Sequence, residues 1–213
     1  MKKNYSMRIA SMLLVLVLLT TCVISGTFAK YVTSDDVADE ARVARWGVTV
    51  VCDDADLFET EYDATVKSSD TMKVVAPGTT DTFATFAVDG TPEVKVKVSY
   101  EATVTLSGWA ITGDDFYCPL YVTVNSTELY GEDYESAALF KKAIEDVIKA
   151  YSKEYGPLTN LTDKADDDLK LSWSWLYEAK AGDTKQTDAK DTLLGDTSST
   201  IKFDVTCTVT QVD

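Results

Sequence analysis

The stretch EVKVKVSYEATVTL, residues 93–106, decides the fold. Val94, Val96, Val98, Tyr100, Ala102, Val104 and Leu106 alternate with Glu93, Lys95, Lys97, Ser99, Glu101, Thr103 and Thr105. A period of two held this long predicts a strand with one face buried and the other wet. The C-terminal TIKFDVTCTVTQVD repeats the pattern, with Ile201, Phe203, Val205, Cys207 and Val209 on one face and Lys202, Asp204, Thr206, Thr208 and Thr210 on the other. Further strands are expected over 46–52, 81–88, 109–112, 117–124 and 169–177, and Pro77-Gly78 suits a type II turn between two of them. About seven short, one-sided strands predict a mainly β, antiparallel sandwich of jelly-roll or immunoglobulin-like type, occupying residues 46–213 as one domain.

One segment departs from that period. YESAALFKKAIEDVIKAYSKEYGP places Leu139, Phe140, Ala143, Ile144, Val147, Ile148 and Tyr151 at helical spacing, and Gly156-Pro157 stops the run. This predicts an amphipathic helix over about 134–155, inserted between strands and laying its apolar stripe on the sandwich. The polar runs TNLTDKADDD and AKAGDTKQTDAKDTLLGDTSS read as loops.

The N-terminus has a separate character. Lys2, Lys3 and Arg8 precede the apolar run Ile9 to Ile24, and SGTFA follows. A basic start, an apolar core and small residues before a cut describe a signal peptide over 1–29, cleaved between Ala29 and Lys30. The alternative is a retained anchor, because Met7 to Ala29 approaches the ~20 apolar residues a membrane span requires. Both readings place the remainder outside the cytoplasm, with the membrane engaged only through the leader. Residues 30–45 then form an arm too polar for core and too short for a domain. Its acidic first half is a candidate free strand, and DEARVARW (39–46) a helical lead-in with Ala41, Val43 and Ala44 against the body.

Charge narrows the function. The chain has 20 Lys+Arg against 35 Asp+Glu, a formal charge of −15, which becomes −18 without the three basic residues of the leader. So acidic a surface repels phosphate backbones, which excludes nucleic acid as a partner. The chain has no histidine, so zinc-protease helices, Ser-His-Asp triads and Cys-His dyads are excluded, and no enzymatic role or cofactor is expected. The acidic clusters Asp53, Asp54, Asp56 and Asp166, Asp167, Asp168 lack the spacing of a calcium-binding loop. Outside the leader stand Cys52, Cys118 and Cys207, an odd number, so at most one pair forms within the chain. Cys52 and Cys207 sit in the first and last expected strands and are the candidate disulfide. Trp173 and Trp175 share a strand face with Leu171 and, with Trp109, offer two readings, as core or as a stacking platform for a carbohydrate ligand.

With those residues in view, GTFAKYVTSDDVADEARVARWGVTV resembles the leader junction of TasA/camelysin-type exported proteins of Gram-positive bacteria, whose leaders are cut by a SipW-type signal peptidase. The match rests on Gly26, Thr27, Phe28, Ala29 and Tyr31, with weaker likeness in the Pro77-Gly78 turn, WSWLYE, DAKDTLLGD and the closing strand. The resemblance implies a secreted jelly-roll-like protein, handled by signal peptidase and the export machinery, that assembles with itself or a related matrix protein into biofilm fibres. It implies strand donation by Lys30, Tyr31, Val32, Thr33 and Val37 to a neighbour's sheet. Some such proteins are described as metallopeptidases, an activity a chain without histidine gives no ground to expect. The alternative is a monomeric cell-surface module binding a carbohydrate or a protein.

Overall fold

The computed structural model describes residues 5–24, 41–53, 58–63, 66–112, 115–180 and 183–213. The chain divides into two compact units, Met1–Arg42 and Val43–Asp213. The first contributes one described helix, α1 (Tyr5–Ile24), whose apolar side chains from Met7 to Leu19 are exposed. Among the described residues no helix is long and apolar enough to cross a membrane. The cleavage point Ala29-Lys30 and the donor residues Tyr31, Val32, Thr33 and Val37 lie outside the described residues.

The second unit is mainly β and antiparallel throughout, as the alternating sequence predicts. Its strands are β1 (Val48–Asp53), β2 (Glu61–Tyr62), β3 (Val66–Lys67), β4 (Thr80–Gly90), β5 (Val96–Ser107), β6 (Leu120–Val124), β7 (Thr127–Tyr130), β8 (Lys153–Tyr155), β9 (Leu169–Trp175) and β10 (Thr200–Gln211). One sheet runs β1-β4-β9-β6-β7, a second runs β10-β5-β8, and β2-β3 is a separate two-stranded ribbon. The two large sheets share one apolar core. Phe86 of β4 meets Tyr100 of β5 edge to face, ring centroids 6.3 Å apart, and Phe58 bridges Trp173 of β9 to Phe203 of β10. Gly78 takes φ +85° and the Thr79 amide donates to the Ala76 carbonyl, which is the type II turn expected at Pro77-Gly78.

The predicted helix is present but shorter, as α2 (Ala137–Ala150). Ser136 starts it by accepting from the Leu139 amide, and Phe140, Ile144 and Ile148 are fully buried beneath it. Its expected last turn is instead β8, which pairs with β5 at Val96, Lys97 and Val98. The 109–112 strand is not formed; Ala110 makes a single bridge to Phe116. Part of the loop before β10 is a short helix, α3 (Asp188–Gly195), capped by Thr187. DEARVARW is no helical lead-in either: residues 41–47 are irregular and exposed, Val43 most of all. Glu93 holds that segment at Arg45, whose amide it accepts from at 3.0 Å.

Candidate functional site

The tryptophans resolve in favour of core. β9 alternates buried Leu169, Leu171, Trp173 and Trp175 with more exposed neighbours, and Trp109, Trp173 and Trp175 are exposed by only 3%, 1% and 5%. Trp173 lies against Phe58 and Tyr62, while Trp109 lies 6.2 Å from Trp175 and donates its indole N–H to the Thr200 carbonyl. None of the three offers a ring face to a sugar. The alternation that suggested a platform is the signature of a strand facing the interior.

Apolar side chains facing inward without cover lie elsewhere, between the free edges of β1 and β10. β1 is the outermost strand of its sheet, paired with β4 so that Val50 stands opposite Val88 and Cys52 opposite Phe86. Directly opposed residues of an antiparallel pair project to the same face. Val88 and Phe86 are buried, so Val50 and Cys52 also point toward the inner side. Yet both are exposed, Val50 by 40%. On the other sheet β10 is outermost too, paired with β5 without a break from Thr200 to Gln211. Its inward residues Val205, Cys207 and Val209 are only half-buried, whereas Val96, Val98, Tyr100 and Val104 on β5 are almost fully buried. The inner side chains at this margin are therefore less covered than those at the centre of the sheets, which leaves an apolar seam.

The backbone of β10 is open along the same seam. The Tyr100 amide turns away from β10 to donate to the Ser152 hydroxyl, and the Val104 amide likewise to Glu145. The even-numbered residues of β5 therefore bond away from β10, and their register partners Val205, Cys207 and Val209 aim N–H and C=O outward, away from β5. No described backbone group pairs with them. An edge of unpaired donors and acceptors beside an apolar seam is a template for one added strand. Alternate side chains of such a strand would enter the seam while its backbone paired with β10.

The thiols in this region are free: Cys52 is exposed, Cys207 half-buried and Cys118 buried, and the expected Cys52–Cys207 disulfide is not formed in this structure. Burial pushes the Cys207 thiol up to about 11, against the opposing Tyr100 contact and with further push from Asp168 and Cys52. Burial and then Asp53 raise Cys52 as well. Neither is a thiolate nucleophile at neutral pH. Val205 and Val209 are legible in the sequence as one face of a strand and Val50 as part of an expected strand, but alternation carries no signal that the layer opposite them is incomplete. The chain has no match among protein-family models or curated proteins.

Proposed function

We propose that the chain is a secreted structural protein whose subunits join by strand addition at the β1/β10 margin, as in the matrix fibres implied by its resemblance to TasA/camelysin-type proteins. The observation that carries this reading is the seam: inward apolar side chains at Val50, Cys52, Val205, Cys207 and Val209 beside unpaired backbone on β10. Main-chain hydrogen bonds give such a joint its affinity, and pockets for alternate side chains give it register. The donor is the segment beginning at Lys30, freed by cleavage after Ala29. It carries β-formers at Tyr31, Val32, Thr33 and Val37, while Asp35 and Asp36 moderate its strand tendency. Cleavage places the mature chain outside the cytoplasm, and its partner is another copy or a related matrix protein.

N-terminal sequencing of protein from culture medium tests the leader, with Lys30 as the expected first residue. The assembly is tested by comparing the mature protein with a version lacking residues 30–39, using electron microscopy and size-exclusion chromatography. The truncated protein should stay monomeric. Equal fibre formation by both forms would remove the arm from the joint.

A further inference from the structure

The two thiols at the open margin lie in one layer of the sandwich. Cys52 of β1 stands opposite Phe86 of β4, and Cys207 of β10 stands opposite Tyr100 of β5. Directly opposed residues of an antiparallel pair share a face. Phe86 and Tyr100 meet edge to face across the core, ring centroids 6.3 Å apart. Each cysteine therefore sits one strand further out than a ring of that contact, on the inward face of its sheet, and the two face each other across the margin. Cα atoms of β1 and β10 come within 8 Å of one another, closer than the about 10 Å that separates facing sheets. Burial raises the Cys207 thiol most, and Cys52 adds to that push, as a neighbour should.

A bond between two cysteines needs Cα atoms about 4.4–6.8 Å apart. β1 can supply the remaining approach, because it is six residues long, outermost in its sheet and exposed along most of its length. Cys118 does not compete, since it is wholly buried, whereas Cys52 is exposed and Cys207 half-buried. Cys52 is thus the point of entry for a reagent from solvent, and Cys207 is the thiol placed to resolve what forms there.

We infer that Cys52 and Cys207 are a redox latch: exchange with a small-molecule disulfide joins them, ties β1 to β10 and closes the seam. The Cys52 thiolate attacks one sulfur of the oxidant, breaks its S–S bond, releases one thiolate and is left as a mixed disulfide. The Cys207 thiolate then attacks Cys52 Sγ, forms the Cys52–Cys207 bond and releases the second thiolate. The protein gives up two protons and two electrons, and the oxidant leaves as two thiols. Burial holds both protein thiols up, so the exchange runs through a small thiolate fraction and is slow. The new bond fills space that alternate side chains of an added strand would enter, so oxidation should block a joint at this edge. That consequence rests on the fibre reading; the bond itself does not.

The folded full chain, brought to equilibrium with mixtures of reduced and oxidised glutathione, tests the latch by alkylation and peptide mass mapping. A Cys52–Cys207 linkage within one chain is expected, with Cys118 still reduced and protected from alkylation until the protein is denatured. Cys207→Ser should instead stop at a glutathione adduct on Cys52. Amide exchange along β1 should slow by at least about tenfold in the oxidised wild type, because the strand can no longer open alone. A folded wild type that yields only a Cys52 adduct or dimers between chains, or a linkage that leaves β1 exchange unchanged, would overturn the latch. Fibres from reduced but not from oxidised protein are the further expectation. Equal fibres from both would overturn the block at the joint, whereas a reduced protein that forms none counts against the fibre reading and leaves the latch to be judged on its linkage and exchange.

Discussion

β5 and β10 lie side by side over twelve residue pairs, and their outer edges are finished in opposite ways. On the far side of β5 the chain supplies partners of its own. β8 pairs with its first three residues, then the Ser152 hydroxyl accepts the Tyr100 amide at 3.2 Å and the Glu145 carboxylate accepts the Val104 amide at 2.9 Å. α2 carries those side chains or leads into them, and it drives Phe140, Ile144 and Ile148 into the core. On the far side of β10 no described element supplies backbone partners, and Val205, Cys207 and Val209 stay only half-buried. A chain that caps one sheet edge with its own side chains and leaves the other without described backbone partners has a closed flank and a flank suited to a partner. Mutations on the two flanks should therefore separate stability from association.

The largest effect belongs to the closed flank. Phe140→Ala should cost about 3–5 kcal/mol of unfolding free energy in urea titrations, because it empties a fully buried aromatic position between helix and sheet. Next comes the cap: Glu145→Ala should cost about 1–3 kcal/mol by orphaning the Val104 amide. Glu145→Gln, which keeps an acceptor oxygen, should recover most of that loss. A Glu145→Ala protein as stable as wild type would show that this edge was not closed by its side chain.

A pH dependence belongs to the same flank. The Lys153 ammonium lies 2.6 Å from Asp167 and, with the Tyr155 hydroxyl, holds its carboxyl below the usual 3.8 against the opposing effect of burial. A depressed carboxylate contributes stability above its unfolded value and loses it as pH falls through the lower folded one. Acid unfolding followed below about pH 4 should start at higher pH in Lys153→Met than in wild type, and Asp167→Asn should flatten the dependence.

The smallest stability change is expected on the open flank. Val50→Lys should alter the monomer by no more than about 0.5 kcal/mol, since the side chain is already exposed by 40%. It should still weaken self-association measured by sedimentation, because it places a charge in the seam.

How much of this was legible beforehand follows from what each pattern encodes. Period-two alternation located β4, β5, β9 and β10 because their two faces differ in wetness, and helical spacing located α2 for the same reason. The expected end of α2 runs too far because Tyr151 continues the apolar spacing and the first stop signal is Gly156-Pro157. Tyr151 ends the helix with its amide bonded to Ile148, and Tyr155 lies on β8 opposite Val96. β7 is four residues and β8 three, too short to show a period. The Trp-x-Trp stripe allowed two readings because aromatic residues line both cores and binding platforms; only burial separates them. The open seam was invisible because a strand's sequence records which side faces inward, not whether anything covers it.

The most direct measurement uses proline at an outward-facing position of β10. Val209 contributes neither its amide nor its carbonyl to the pairing with β5, so Val209→Pro leaves that ladder intact and removes one donor from the free edge. Mature wild-type and Val209→Pro proteins would be compared by circular dichroism, size-exclusion chromatography and electron microscopy. The expected result is a folded variant that remains monomeric where wild type forms fibres. Fibres from the folded variant equal to those of wild type, or a wild-type protein that stays monomeric at every concentration, would contradict strand addition at this margin.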